Sequence, residues 1–233
     1  GHTLETGEER QSAENQVGVR GRDGLDEDAL VVASYRSGTF GLWRVELATG
    51  DELQLTITGA PGSIINGTFD WVYEEEFGLR DGFRWSPDGA YIAYYQLDES
   101  RTRDYQMIDY RTLYPETTQF RYPTAAETNS AIRIGVVDPN TGATRLFDTG
   151  TWREGGDDTE YIAGMGWTPP LADGEPDVWM LRLNRDQDHV DLLYADPETG
   201  AVRTILSESN DSYIEVENGF SDTETGTLTF LDD

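Results

Sequence analysis

Three times along this chain an alternating strand runs into a turn closed by Thr-Gly, and then into a second alternating strand. Leu42–Leu47 (LWRVEL) passes through Ala48-Thr49-Gly50 into DELQLT. Ile132–Asp138 (IRIGVVD) passes through Pro139-Asn140-Thr141-Gly142 into ATRLFD, and Val190–Asp196 (VDLLYAD) through Pro197-Glu198-Thr199-Gly200 into AVRTIL. Alternation of period two marks a strand with two distinct faces, and a terminal Gly accepts positive φ at no steric cost. A second marker pairs Trp85-Ser86-Pro87-Asp88-Gly89 with Trp167-Thr168-Pro169, in which a strand ends at Trp and a Pro starts the turn. Sheets of about four short strands recurring every ~40–50 residues are the pattern of propeller blades. A β-sandwich of similar hairpins is the competing architecture, and the paired Trp markers favour the propeller. The expected fold is therefore all-β, a partial β-propeller of about four blades or blade pieces.

Two insertions interrupt that pattern. One, residues 70–79, carries Glu74, Glu75 and Glu76 and is expected to form a short helix or helical turn. The other, residues 101–129, is rich in Tyr and Arg, and an excursion of that length within a domain is expected to be functional or interface-forming. Residues 1–28 are polar and lack periodicity, so they read as a flexible lead-in or tag before a propeller portion spanning 29–233. The first blade piece starts without leading strands and the last, Tyr213–Asp233, stops after TLTFLDD, which is the expectation for part of a larger protein. No apolar run approaches the ~20 residues of a membrane span.

Charge narrows the partners. Asp plus Glu number 45 against 17 basic residues, all of them Arg, for a formal charge of -28 and a pI near 4.1. Nucleic acid is excluded as a partner, since phosphate binding needs a basic footprint, and an anionic membrane surface is disfavoured for the same reason. Self-repulsion on this scale strains a compact state unless salt screens it, so a Lys-free acidic surface reads as salt adaptation, with an ordinary acidic secreted protein as the alternative. The absence of Cys removes disulfides, thiolate zinc sites and thiol catalysis.

No catalytic centre can be assembled from these residues. His2 and His189 are the only histidines, no Gly-x-Ser-x-Gly elbow occurs, and no Gly-rich phosphate loop follows a strand. His189 reads as a hydrogen-bonding residue and Asp157-Asp158-Glu160 as a solvated acidic loop, so neither a metal nor any other cofactor is expected. The run Glu74-Glu75-Glu76 beside Trp71, Tyr73 and Phe77 differs in kind. Closely spaced carboxylates repel one another unless solvent or a cation relieves them. An ammonium offers three donors, and a peptide's α-amino group, with a pKa of about 8, is mostly charged at neutral pH. An acylated nitrogen would leave the acids unpaired, so such a site discriminates free N-termini from internal peptide bonds. Adjacent helical residues point about 100° apart, so Glu75 and Glu76 converge only near a helix end or an irregular turn. An acidic run on an acidic surface is the plainer reading of the same residues.

The run Asp70-Trp71-Val72-Tyr73-Glu74-Glu75-Glu76-Phe77, followed by Trp85-Ser86-Pro87-Asp88-Gly89, resembles the propeller domain of the dipeptidyl peptidase IV family, serine peptidases of the prolyl oligopeptidase type. The likeness extends to Ile64-Ile65-Asn66-Gly67, Tyr122-Pro123 with Asn129, Leu183-Asn184-Arg185 with His189-Val190-Asp191-Leu192-Leu193, and Phe230-Leu231-Asp232-Asp233, so that it covers about 29–233. It implies an eight-bladed ring of which this chain holds part. It further implies that Glu75 and Glu76 bind the substrate's N-terminal ammonium, with Glu74 in support and Phe77 a weaker candidate for a pocket wall. The partners implied are a peptide with a free N-terminus and an α/β-hydrolase domain of the same protein, which carries the serine nucleophile and releases a dipeptide with Pro or Ala second. A homodimer is admitted as a further partner, and a periplasmic or secreted location is expected. Relatives carry Pro-Lys-Ala-Gly where this chain has Pro123-Thr124-Ala125-Ala126, a departure that touches the long insertion and not the glutamates. The alternative function is a non-catalytic periplasmic propeller that binds through its face. A glycan-active propeller would need paired acids set across a pocket.

Overall fold

In the computed structural model, which describes residues 20–22, 26–35, 38–60, 63–150, 161–170, 174–216 and 230, the alternating runs form antiparallel sheets. The first sheet is a meander of β1 (Arg20–Arg22), β2 (Asp26–Ser34), β3 (Gly41–Glu46) and β4 (Glu52–Gln54). In the second, β5 (Ile64–Asn66) and β6 (Phe83–Trp85) lie end to end along β7 (Ile92–Asp98), which pairs in turn with β10 (Ala131–Val137) and then β11 (Thr144–Leu146). The third runs β12 (Tyr161–Trp167), β13 (Val178–Leu183), β14 (His189–Ala195) and β15 (Val202–Ser209). Between β5 and β6 sits α1 (Trp71–Glu76), and between β7 and β10 a separate hairpin of β8 (Asp104–Asp109) and β9 (Glu116–Arg121).

The repeat read from sequence is a repeat in space. The three Thr-Gly turns join the third and fourth strands of the three sheets. Each closes with the same pair of bonds: Gly50, Gly142 and Gly200 donate to the carbonyls of Glu46, Asp138 and Asp196 at 2.8, 2.9 and 2.9 Å, and those three residues donate onward to Asp51, Ala143 and Ala201. All three glycines hold φ between 71° and 80°, where any side chain would be strained. The Trp-Ser/Thr-Pro markers join β6 to β7 and β12 to β13. In the first, Ser86 Oγ donates to Asp88 and accepts from Tyr91 N–H, so that the side chain takes over the turn's backbone partner.

Strands buried on both faces show that the sheets stack as blades. Along β7, Ile92 and Tyr94 pack toward the first sheet with Leu42, Leu55 and Phe83, while Ala93, Tyr95 and Leu97 pack toward α1 and the third sheet. β13 divides likewise, with Val178 and Met180 on one face and Trp179 and Leu181 on the other. The ordered first sheet begins at Arg20, inside the stretch 1–28 read as a lead-in. The fourth blade piece, at Tyr213–Asp233, and the acidic loop Asp157-Asp158-Glu160 lie largely or wholly outside the described residues, as does His2. Among the described residues no helix is long and apolar enough to cross a membrane.

Candidate functional site

The helix bearing the glutamates has six residues, too few to be stable alone, so its neighbours hold it. Asp70 is the N-cap: its carboxylate accepts from Tyr73 N–H at 3.1 Å and from Ser130 Oγ at 2.6 Å, which ties the helix start to the chain entering β10. Burial pushes the Asp70 carboxyl above its ordinary range, and the Ser130 and backbone hydrogen bonds oppose that shift. Tyr73 is buried at 2 % exposure, stacked on Phe69 at 5.7 Å and packed against Phe77, Tyr95 and Tyr161. Its hydroxyl accepts a hydrogen bond from Ile162 N–H of β12 at 3.2 Å. On the opposite flank Trp71 stacks on Phe120 of β9 at 5.5 Å, with Tyr122 edge-on. α1 is thus a wedge between the second and third sheets, braced by the β8–β9 hairpin.

The three glutamates are not equivalent. Glu74 is half-buried and lies 4.0 Å from Arg80. Burial raises its carboxyl, Arg80 counters that, and Asp70 and Glu75 add to it. Glu75 and Glu76 are exposed, and they are the last two residues of α1, which Phe77 ends as C-cap before Gly78 turns left-handed at φ 62°. That is the helix end at which neighbouring carboxylates are able to converge. Among the described residues neither has a hydrogen-bond or ion-pair partner, and no basic residue sits in the last turn. Two negative side chains at the negative end of a helix are an unfavourable placement that a cation would relieve. Phe77 is turned inward at 6 % exposure, 5.3 Å from the Tyr161 ring, so it backs the helix end from the core.

Elsewhere, His189 hydrogen-bonds as expected, its Nε2 paired with Asp191 at 3.1 Å and its Nδ1 with Ser209 Oγ at 2.6 Å. The Asp191 carboxylate is already committed to Arg182 at 2.7 Å and Ser207 at 2.5 Å, a cross-strand network that neutralises a buried charge. A cavity of about 590 Å³ opens beside Asp98, Arg101, Arg133 and Asp148, away from the glutamates. Glu75 and Glu76 are exposed among the described residues. Among the described residues no three His, Asp or Glu side chains are gathered to hold a metal ion.

Sequence reasoning missed Asp70 and Tyr73 as the residues that place the glutamates. Asp70 had a local signal, an Asp directly before a helical run. Tyr73 had none, because its partner is 89 residues away.

Antiparallel sheets that follow one another along the chain and pack through strands buried on both faces make this a β-propeller-type domain with a helix wedged between two blades. Within that class the chain belongs to the dipeptidyl peptidase IV family: the profile of the dipeptidyl peptidase IV (DPP IV) N-terminal region matches residues 40–232. Venom dipeptidyl peptidase 4 of Apis mellifera is 29% identical over 176 residues, 72% of this chain and 22% of that protein. Dipeptidyl peptidase 4 of Sus scrofa is 37% identical over 158 residues, 63% of this chain and 20% of its own length. The crystal structure of Porphyromonas gingivalis dipeptidyl peptidase 4 superposes with a TM-score of 0.67 at 28% identity, covering 81% of this chain and 25% of that one. The chain spans about a quarter or less of these relatives' length.

Proposed function

We propose that this chain is the substrate-recognition part of a dipeptidyl peptidase IV-like serine exopeptidase, in which Glu75 and Glu76 hold the free N-terminal ammonium of a peptide. The observation that carries this reading is the pair of exposed, unpaired carboxylates on the last two residues of a buried, braced helix. A surface acid run needs no such scaffold. Each charge-assisted hydrogen bond to the ammonium contributes on the order of 1.5–3 kcal/mol. With the amine fixed, the bond after the second residue is presented to a serine on an α/β-hydrolase domain of the same protein. Glu74, paired locally with Arg80, supports from behind, and Phe77 backs the helix end. A periplasmic or secreted location, with the cytoplasm as the alternative, goes with this reading.

A second copy of the chain is the further partner of this reading. Between residues 101 and 129 four arginines balance four acidic residues, on a chain of net charge -28. That stretch carries no net charge of its own, so two such molecules approach through it without the repulsion of the acidic surface.

The test is kinetic. In the complete enzyme acting on a Gly-Pro anilide, Glu75→Gln and Glu76→Gln each raise KM by about ten-fold or more, while Glu74→Gln does so far less. The 233-residue chain alone does not hydrolyse the anilide. Equal effects at all three glutamates, or turnover by the chain alone that a serine-directed inhibitor abolishes, would overturn the reading.

A further inference from the structure

Resting on the reading that Glu75 and Glu76 take the peptide ammonium, we infer that Tyr73 is a positioning residue: its hydroxyl registers helix α1 on the third sheet and so sets where those carboxylates stand. The contacts that hold α1 are of two kinds. Ring packing against Phe69, Phe77, Tyr95 and Tyr161 fixes how deep the helix sits, but apolar contact is non-directional and leaves it free to turn about its axis. Directional ties resist that turn. Asp70 supplies one at the helix start, to Ser130 beside the second sheet. Among the described residues the one hydrogen bond from α1 to the third sheet is that of Ile162 N–H to the Tyr73 hydroxyl, 3.2 Å long.

Position in the helix makes this bond matter for Glu76. Residues three apart are neighbours on a helix, so a turn of α1 that shifts Tyr73 shifts Glu76 with it. A glutamate carboxylate stands about 6 Å from the helix axis, so a turn of roughly 10° carries it about 1 Å. Displacements of that size weaken a charge-assisted hydrogen bond and mis-set the substrate it holds. Because Ile162 lies where the β12–β13 register shifts, the ladder around its N–H is irregular, and the Tyr73 hydroxyl reaches the strand at that point.

The same ring cluster contains its own control. Among the described residues the buried Tyr95 hydroxyl has no hydrogen-bond partner, although its ring lies only 6.4 Å from that of Tyr73. Tyr73→Phe and Tyr95→Phe therefore delete the same atom from the same cluster, and only the first breaks a tie. In the complete enzyme on a Gly-Pro anilide, Tyr73→Phe raises KM about five- to ten-fold with kcat within about two-fold, and Tyr95→Phe changes neither. In the 233-residue chain the Ile162 amide exchanges its hydrogen faster in Tyr73→Phe than in wild type or Tyr95→Phe. A wild-type KM in Tyr73→Phe, an equal rise in both Phe variants, or unchanged Ile162 exchange would overturn this inference. If that happens while Glu75→Gln still raises KM, the ammonium reading stands. If Glu75→Gln leaves KM unchanged, that reading falls and takes this one with it.

Discussion

At the scale of single residues, the ground around α1 is costly for negative charge. Glu99, at the end of β7, is partly buried, and its carboxyl is pushed up to about 7, first by burial and then by the nearby Asp70, with Arg121 opposing and Asp98 adding. The folded state therefore binds a proton more readily than the unfolded chain, whose Glu ionises near 4.5. Stability falls as pH rises from 4.5 through about 7, because the folded protein must then hold an unfavourable charge. Glu99→Gln removes that charge. Its melting temperature should exceed wild type by about 2–4 °C at pH 8, and the gap should close as the pH approaches 4.5. Equal melting temperatures across this range would show that the Glu99 carboxyl is solvated. This residue had no signal in the sequence, where it was one acid among 45. Its surroundings come from three separate segments that only the fold brings together.

At the scale of elements, the short helix was legible and its attachment was not. An acidic run between two strand patterns, preceded by Asp70, marks a helix; that the helix is a wedge follows from Tyr73 reaching β12 and Trp71 reaching β9. The long insertion reads differently in sequence and in space. Its Tyr and Arg content announced an exposed, purposeful segment, and the structure shows why it stays ordered: Arg121 donates to Thr102 O at 2.5 Å and pairs with Asp104, Tyr105 and Phe120 pack edge to face, and Trp71 closes the stack. Its tip is bare, with Tyr110, Leu113 and Tyr114 exposed at 73, 90 and 80 %. As the contact between two copies, that tip predicts a dimer. In sedimentation the wild type should run as a dimer and Leu113→Asp with Tyr114→Asp as a monomer of unchanged melting temperature. A monomeric wild type at high micromolar concentration would remove the second copy from the scheme.

At the scale of the whole molecule, the fold was legible wherever one short motif recurs. The Thr-Gly turns and the Trp-Ser/Thr-Pro markers sit at corresponding corners of their sheets, so the recurring motif marked the repeating unit. Sequence could not show that β5 lies along β7 beside β6, since β5 pairs with β7 across the whole helical insertion, whereas β6 meets β7 through a local turn. Nor did it show strands at Arg20–Arg22 and from Asp26, whose surroundings are polar and without alternation long enough to read. The charge of -28 sets the remaining expectation. Screening of self-repulsion should raise the melting temperature steadily between about 0.2 and 2 M KCl, because the Debye length shrinks from roughly 7 Å to about 2 Å. A melting temperature that does not move with salt would leave an ordinary acidic protein.

The turns at the outer corners carry one more consequence. Since Gly50, Gly142 and Gly200 close their corners with the same two hydrogen bonds and nearly the same backbone angle, these segments are interchangeable parts. Pro139–Gly142 transplanted to Pro197–Gly200 should need no repair elsewhere, because the joint is specified by its own backbone geometry and not by the strands it connects.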